Sequence, residues 1–557
     1  MDVELKETGT AKTVETPKTE RPRKARRGKG GAELDLARLF PFPLDEFQLD
    51  SVRRIDEEHS VLVCAPTGSG KTVIAEYAIH KALQAGQRVF YTTPLKALSN
   101  QKFRDLGAAL GEERVGLLTG DISINREADV VVMTTEVFRN MLYGTTLGAV
   151  ETSLRNVRFV ILDEVHYMND EQRGTVWEES IIYCPPAVQL VALSATVANS
   201  PDMAAWMNEV HGDTTLITTD FRPVPLRFHY FDGRHLTSLL RKLRTADYNS
   251  RMPKEVQRRL RRGDLVSPDD LVQVLAEKEM LPAIYFVFSR KGCDSAMLSC
   301  GHLQLLSEPE IDEVEAFLEE YAADYPSVAG HSHLPYLFRG LAVHHAGMLP
   351  AWKVLVERLF QRGLVKVVFA TETLAAGINM PARTTVLSSI TKRGDQGHRT
   401  LTASEFLQMS GRAGRRGMDP VGHVVVVASA YQSLAEAQAL ATAPPDPLGS
   451  HFTPTYGMVL NLLQRHTLAE AEFLISRSFG QFLEEQRLAK RSTRRQKREA
   501  ALRAKNPSLG PGNWARFLKL RDVLQHYGYL EADHPTPSGV MAAALRAEHE
   551  LLIAEVL

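Results

Sequence analysis

Short runs that are apolar on both faces recur along this chain, each followed by a stretch whose apolar residues return with helical spacing. Residues 61–64, 88–92, 129–133, 157–162 and 189–193 form one set, and 283–288, 365–369 and 423–427 form a second. A strand buried on both faces has no polar side to show, so such runs read as parallel strands covered by helices. Their alternation with helices predicts an α/β fold with two parallel-sheet lobes, over about 34–230 and about 283–435. Residues 231–282 are polar, basic over 258–262, and read as an insertion or linker between the lobes.

Two glycine-containing elements interrupt the pattern where chemistry is expected. Ala65-Pro66-Thr67-Gly68-Ser69-Gly70-Lys71-Thr72 joins the run 61–64 to a helix that Gly86 can end. Gly68 and Gly70 let backbone N–H groups turn toward a phosphate, and the helix start adds partial positive charge. Lys71 can reach the β- and γ-phosphates, and Thr72 offers a hydroxyl to Mg²⁺. Ala65 stands where the strict phosphate-loop pattern has glycine. Asp163-Glu164-Val165-His166 follows the run 157–162, where a carboxylate would hold Mg²⁺ through water and Glu164 would deprotonate the attacking water. About 340 residues beyond the phosphate loop, Gln408-Met-Ser-Gly411-Arg412-Ala-Gly414-Arg415-Arg416-Gly417 follows the second set of strands. A second phosphate-handling element on its own lobe suggests ATP between two lobes, completed when they close.

With these motifs in order, the chain resembles the superfamily-two DExH-box helicases, most closely the superkiller-type RNA helicases and their bacterial and plastid relatives. The resemblance covers about residues 35–545. It rests also on Phe42-Pro-Leu-Asp45 with Phe47-Gln48, Thr93-Pro94-Leu-Lys96, Thr119-Gly120-Asp121, Thr134-Thr135-Glu136 and Ser194-Ala195-Thr196. The second half adds Ser289-Arg290-Lys291-Gly292, His344-His345-Ala346-Gly347, and Thr371-Glu372-Thr373 running on to Gly377-Ile378-Asn379.

The resemblance implies RecA-like lobes and a role for each motif residue. Gln48 would read adenine. Pro66, Thr67, Gly68, Ser69, Gly70, Lys71, Thr72, Asp163, Gly377 and Asn379 would bind ATP, with Thr72 and Asp163 at Mg²⁺. Glu164, Gln408, Arg412 and Arg415 would be catalytic, the arginines as fingers on the γ-phosphate. His166, Ser194 and Thr196 would couple hydrolysis to the nucleic-acid track. Pro94, Lys96, Thr119, Gly120 and Thr135 in lobe one, and Ser289, Arg290, Thr371 and Thr373 in lobe two, would hold the backbone of single-stranded RNA or of an overhang-bearing duplex without reading sequence. Residues 388–404 resemble the hairpin that separates strands, and 436–545 resemble a winged-helix domain interrupted by a basic helical piece over 484–511. That piece stands where exosome-linked relatives carry an arch, so no arch-mediated partner is expected. Residues 546–557 resemble the start of a helical-bundle domain, truncated here.

Composition adjusts this picture only locally. With 66 Lys and Arg against 67 Asp and Glu over 557 residues, no global basic charge announces nucleic acid. Residues 1–33 form a basic, Thr/Pro/Glu-rich leader expected to be disordered. Its acids do not suit a transit peptide, and no apolar stretch is long enough for secretion or a membrane, so a cytoplasmic monomer is expected. Cys64, Cys184, Cys293 and Cys300 contain no CxxC pair and read as free thiols. The expected activity is an ATP-dependent 3′-to-5′ RNA helicase. A DNA-repair helicase and an RNA-binding scaffold with weak ATPase remain alternatives.

Overall fold

The computed structural model describes residues 12–14, 34–142, 154–170, 173–240, 266–375, 380–394, 397–429, 432–452, 454–464, 466–489 and 512–544. Two compact units divide the chain: Met1–Cys64, Lys71–Thr219 and Pro447–Leu557 make the first, and Ala65–Gly70 with Asp220–Asp446 make the second.

The first unit is built on a nine-stranded sheet. Its strands run in the order Lys12–Val14, Thr214–Thr218, Ser60–Cys64, Gln189–Ser194, Val157–Leu162, Arg88–Thr93, Val130–Thr134, Val115–Leu118 and Ser123–Ile124. The two outermost pair antiparallel and the rest are parallel, as the doubly apolar runs predict. Val61, Leu62, Val63, Val130, Val131 and Val132 have no exposed surface, the packing that β-branched residues suit. Because the inner strands are parallel, their carboxyl ends share one edge. From that edge leave the loops after Cys64, Thr93, Thr134, Leu162 and Ser194.

The second sheet has seven strands, in the order Leu236–Ser238, Leu226–Phe231, Gly422–Val427, Thr384–Leu387, Ala283–Phe286, Val367–Ala370 and Leu341–His344. All but the first pair parallel. Two RecA-like α/β lobes are thus present. Their boundaries differ from those read in the sequence, because Leu226–Phe231 joins the second sheet beside Gly422–Val427. Within the segment read as an insertion, Leu236–Ser238 extends this sheet, and Leu271, Val272 and Leu275 of the helix Pro268–Glu277 are buried in its core.

Residues from Pro447 onward return to the first unit. Helices Tyr456–Leu463, Leu468–Ser476, Phe479–Ala489, Asn513–His526 and Pro537–Ala544 accompany a hairpin of Leu530–Glu531 with His534–Pro535. The Trp206 indole donates to the Arg477 carbonyl at 2.7 Å, and Tyr183 stacks on His466. Buried Glu178 accepts from the Ser450 hydroxyl at 2.6 Å and from the Phe479 N–H at 2.7 Å, so it caps the helix Phe479–Ala489 from across the unit. Of the leader read as disordered, Lys12–Val14 forms the edge strand. The rest of it, residues 490–511 of the basic piece and residues 546–557 lie outside the described residues.

Candidate nucleotide and nucleic-acid site

The phosphate loop leaves a fully buried strand and enters the helix Thr72–Gln84 at Lys71. Gly68 and Gly70 have φ of 83° and 90°, the left-handed region that side chains disfavour, so these glycines permit the turn. The Ser69 hydroxyl is buried and makes no hydrogen bond, a polar atom left for something the loop would enclose. Gln48 is buried on the helix Glu46–Asp56, where Oε1 accepts the Asp45 N–H at 2.8 Å in a capping box. The proposed adenine reader therefore also begins its own helix, with one lone pair of Oε1 committed to that task.

The acidic pair lies at the carboxyl end of Val157–Leu162, one strand removed from Ser60–Cys64. Asp163 Oδ2 accepts the Tyr91 hydroxyl at 2.7 Å and Oδ1 accepts the Glu164 N–H at 3.0 Å. Burial, and then the charge of Glu164, push the Asp163 carboxyl above its ordinary range, against the pull of Lys102 and Lys71. A half-buried carboxylate raised in this sense is a place prepared for a cation. Glu164 sits at φ 55° and ψ 47°, a left-handed conformation that costs a non-glycine residue about 1–3 kcal/mol and marks functional positions. His166 Nδ1 accepts the Ala195 N–H at 3.2 Å, joining the acidic box to Ser194-Ala195-Thr196 on the neighbouring strand end. The same Nδ1 approaches Glu164 Oε2 at 3.4 Å.

In the second unit, Gln408 is half-buried on the helix Ala403–Ser410. A Cβ on Gly411, just beyond that helix, would lie 2.7 Å from Thr67 Cβ and 2.9 Å from the Leu407 carbonyl oxygen, so only glycine fits. Arg412 Nη2 donates to the Ala375 carbonyl at 2.6 Å. Arg415 clasps Asp419 with Nε at 2.8 Å and Nη2 at 2.9 Å, and Arg383 holds the same carboxylate at 2.9 Å. Burial alone would raise the Asp419 carboxyl, but these bonds outweigh it and bring its pKa down to about 2. The arginine read in the sequence as a finger is thus held by an internal carboxylate that sequence reasoning missed. Gly377 and Asn379 lie outside the described residues.

The residues expected at nucleic acid fall into distinct circumstances. Lys96 and Asp121 are both exposed and pair at 2.9 Å, while the Thr119 hydroxyl also donates to Asp121 at 2.9 Å, so Lys96, Thr119 and Gly120 do come together. Thr135 does not fit its expected role: it is fully buried and its hydroxyl donates to the Thr93 carbonyl at 3.1 Å. Pro94 is buried, and its carbonyl accepts from Arg173 at 3.3 Å. In the second unit Ser289 caps the helix Arg290–Ser299 by accepting the Gly292 N–H at 3.0 Å, and Arg290 is exposed beside it. Thr371 and Thr373 share a hydrogen bond at 2.9 Å. Glu372 between them pairs with Lys392 on the strand Thr391–Gly394, which forms a hairpin with Gly397–Thr400. Lys392 also pairs with Glu405 at 2.8 Å on the Gln408 helix. A chain of charges therefore links the hairpin, the threonine loop and the Gly/Arg element.

Two helicase families match this chain: DEAD/DEAH box helicase over residues 45–204 and helicase conserved C-terminal domain over 332–417. The chain belongs to the superfamily-two DExH-box helicases. It is 43% identical over 514 residues to the DExH-box ATP-dependent RNA helicase DExH15, chloroplastic, of Arabidopsis thaliana, across 81% of this chain and 44% of that protein. It is 44% identical over 482 residues to the probable helicase HelY of Mycobacterium tuberculosis, across 81% and 53%. To the exosome RNA helicase MTR4 of Homo sapiens it is 40% identical over 486 residues, across 83% and 45%. The chain spans about half the length of the curated relatives it matches.

Proposed function

We propose that this DExH-box helicase hydrolyses ATP with Mg²⁺ and uses the cycle to move 3′-to-5′ along single-stranded RNA, unwinding or remodelling RNA structure. The observation that carries the reading is a glycine-turned phosphate loop accompanied, one strand away, by a half-buried Asp163 and a left-handed Glu164. Both fit the group they would receive: Ser69 has an unspent hydroxyl, and Asp163 is a carboxylate that a cation would relieve. ATP would supply the phosphoanhydride and Mg²⁺ the charge neutralisation. Of the chain's own groups, the loop N–H groups and Lys71 would hold phosphate oxygens, while Thr72 and Asp163 would hold the ion. Glu164 takes the proton of the attacking water, Gln408 orients that water, and Arg412 and Arg415 meet the developing charge after giving up their internal partners.

RNA is favoured over DNA by the RNA helicase names of the relatives above. Residues 436–545, interrupted by the basic piece 484–511, are assigned as a winged-helix domain on the family resemblance. The working form in this reading is a cytoplasmic monomer with RNA as partner and no arch-borne contact to an exosome. No helix among the described residues is long and apolar enough to cross a membrane.

The test is steady-state ATPase with and without RNA. Lys71→Ala should abolish turnover, and Glu164→Gln should bind ATP while losing about 10²-fold or more in kcat. Normal hydrolysis by Glu164→Gln would remove the assigned base. Equal stimulation by matched DNA and RNA strands would favour the repair-helicase alternative.

A further inference from the structure

Arg222 is an arginine with no motif around it, yet all three of its guanidinium nitrogens donate to backbone carbonyls. Nη1 donates to the Thr67 carbonyl at 2.7 Å, Nη2 to the carbonyls of Gly411 at 3.0 Å and Ala413 at 2.6 Å, and Nε to Val224 at 3.0 Å. These recorded partners are all neutral carbonyls. Burial pulls the pKa down to about 10, so the group stays charged at neutral pH. Apolar packing or a neutral donor would fill such a place at lower cost in desolvation, which leaves geometry as the reason for a planar, five-donor fork.

The acceptors give that geometry its meaning. A trans peptide points its N–H opposite to its C=O. Turning the Thr67 carbonyl to Arg222 therefore directs the Gly68 N–H away from it, within the phosphate loop. The Gly411 carbonyl lies in the peptide plane that enters Arg412, and the Ala413 carbonyl in the plane one residue beyond it, so the same guanidinium fixes the backbone just before and just after an expected finger. Both sets of contacts lie inside the second unit, to which residues 65–70 belong.

We propose that Arg222 is a positioning residue for ATP hydrolysis: one guanidinium orients the phosphate loop and sets the backbone from which Arg412 projects, so that the two respond together to nucleotide. The inference rests on the ATPase reading given above. It concerns kcat more than binding, because the Arg412 backbone is held by two of the bonds and the loop by one.

The experiment is a double-mutant cycle on the full chain, with ATP Kd and RNA-stimulated kcat measured well below the thermal transition. Arg222→Gln should lower kcat about tenfold and raise Kd about threefold. Arg222→Lys keeps the charge but not the fork, and should recover less than half of the lost rate. Combined with Arg412→Gln, Arg222→Gln should add little further loss, since it acts through that residue. A kcat within twofold of the parent for either Arg222 variant, or fully additive losses in the double variant, would overturn the proposal. Lys71→Ala run alongside separates the two ideas: undiminished hydrolysis by that variant would bring down the ATPase reading itself.

Discussion

Asp419 has no exposed side-chain surface and carries two arginines, which makes it the residue where the energetics of the Gly/Arg element are most concentrated. Its carboxyl pKa falls from 3.8 to about 2 on folding. A depressed carboxyl contributes stability that is complete above the unfolded value and is lost as pH falls toward about 2, here about 2 kcal/mol. Asp419→Asn should cost about 3 kcal/mol at neutral pH by leaving Arg383 and Arg415 without their shared anion. Urea unfolding against pH should then show no slope from this residue between about pH 4 and pH 2, and an undiminished acid slope would contradict the assignment. Asp121 acts oppositely, as an exposed anion already seated on Lys96, a cation proposed to meet RNA. Asp121→Asn should free Lys96 for a phosphate and steepen the fall of log affinity with log salt by about 0.7. Parallel salt dependences for parent and variant would place Lys96 outside the RNA contact.

Between elements, Glu178 fastens the C-terminal helices to the first lobe. Burial raises its carboxyl from 4.5 to about 8, although Ser450 and the Phe479 N–H favour the ionised form. Here the folded state keeps its proton longer than the unfolded chain. Stability is therefore greatest below pH about 4.5 and declines as pH rises to about 8. Glu178→Gln should remove that decline, whereas Glu178→Ala should cost about 2 kcal/mol by orphaning the Phe479 N–H. Amide exchange along Phe479–Ala489 reads both effects, and unchanged protection in the alanine variant would mean the cap holds nothing.

Elements of this kind also mark how far the sequence could be read. Inner strands such as 61–64 and 130–133 were legible because burial on both faces forbids polar interruptions. Leu226–Phe231 was not, since it carries Arg227 and His229 between apolar residues and shows its sheet only through pairing with Gly422–Val427. The His229 and His423 rings meet at 3.0 Å across that pairing, a contact nearly two hundred residues apart in sequence. Arg222 escaped for a related reason: a lone arginine in a loop has no periodicity, and its acceptors are carbonyls that every residue possesses. Asp419 offered a faint signal, four residues after Arg415. Thr135 shows the converse, a motif residue whose hydroxyl is spent in the core.

At the scale of the whole molecule, apart from the six-residue loop Ala65–Gly70, the chain leaves the first unit at Thr219 and rejoins it at Pro447, so nearly all of the second unit is threaded as a guest in its host. Topology of this form decides where mechanical load travels. Tension applied through handles at Asp35 and Ala542 enters and leaves by the first unit, and the long guest segment is shielded until its host gives way. Forced extension should therefore show an ordered sequence, host rupture before guest rupture, because unfolding under load follows the barrier of the element that bears it. Opening residues 220–446 should then release a contour of roughly 800 Å at about 3.6 Å per residue. Optical-trap records in which that release came first would mean that load reaches the guest directly.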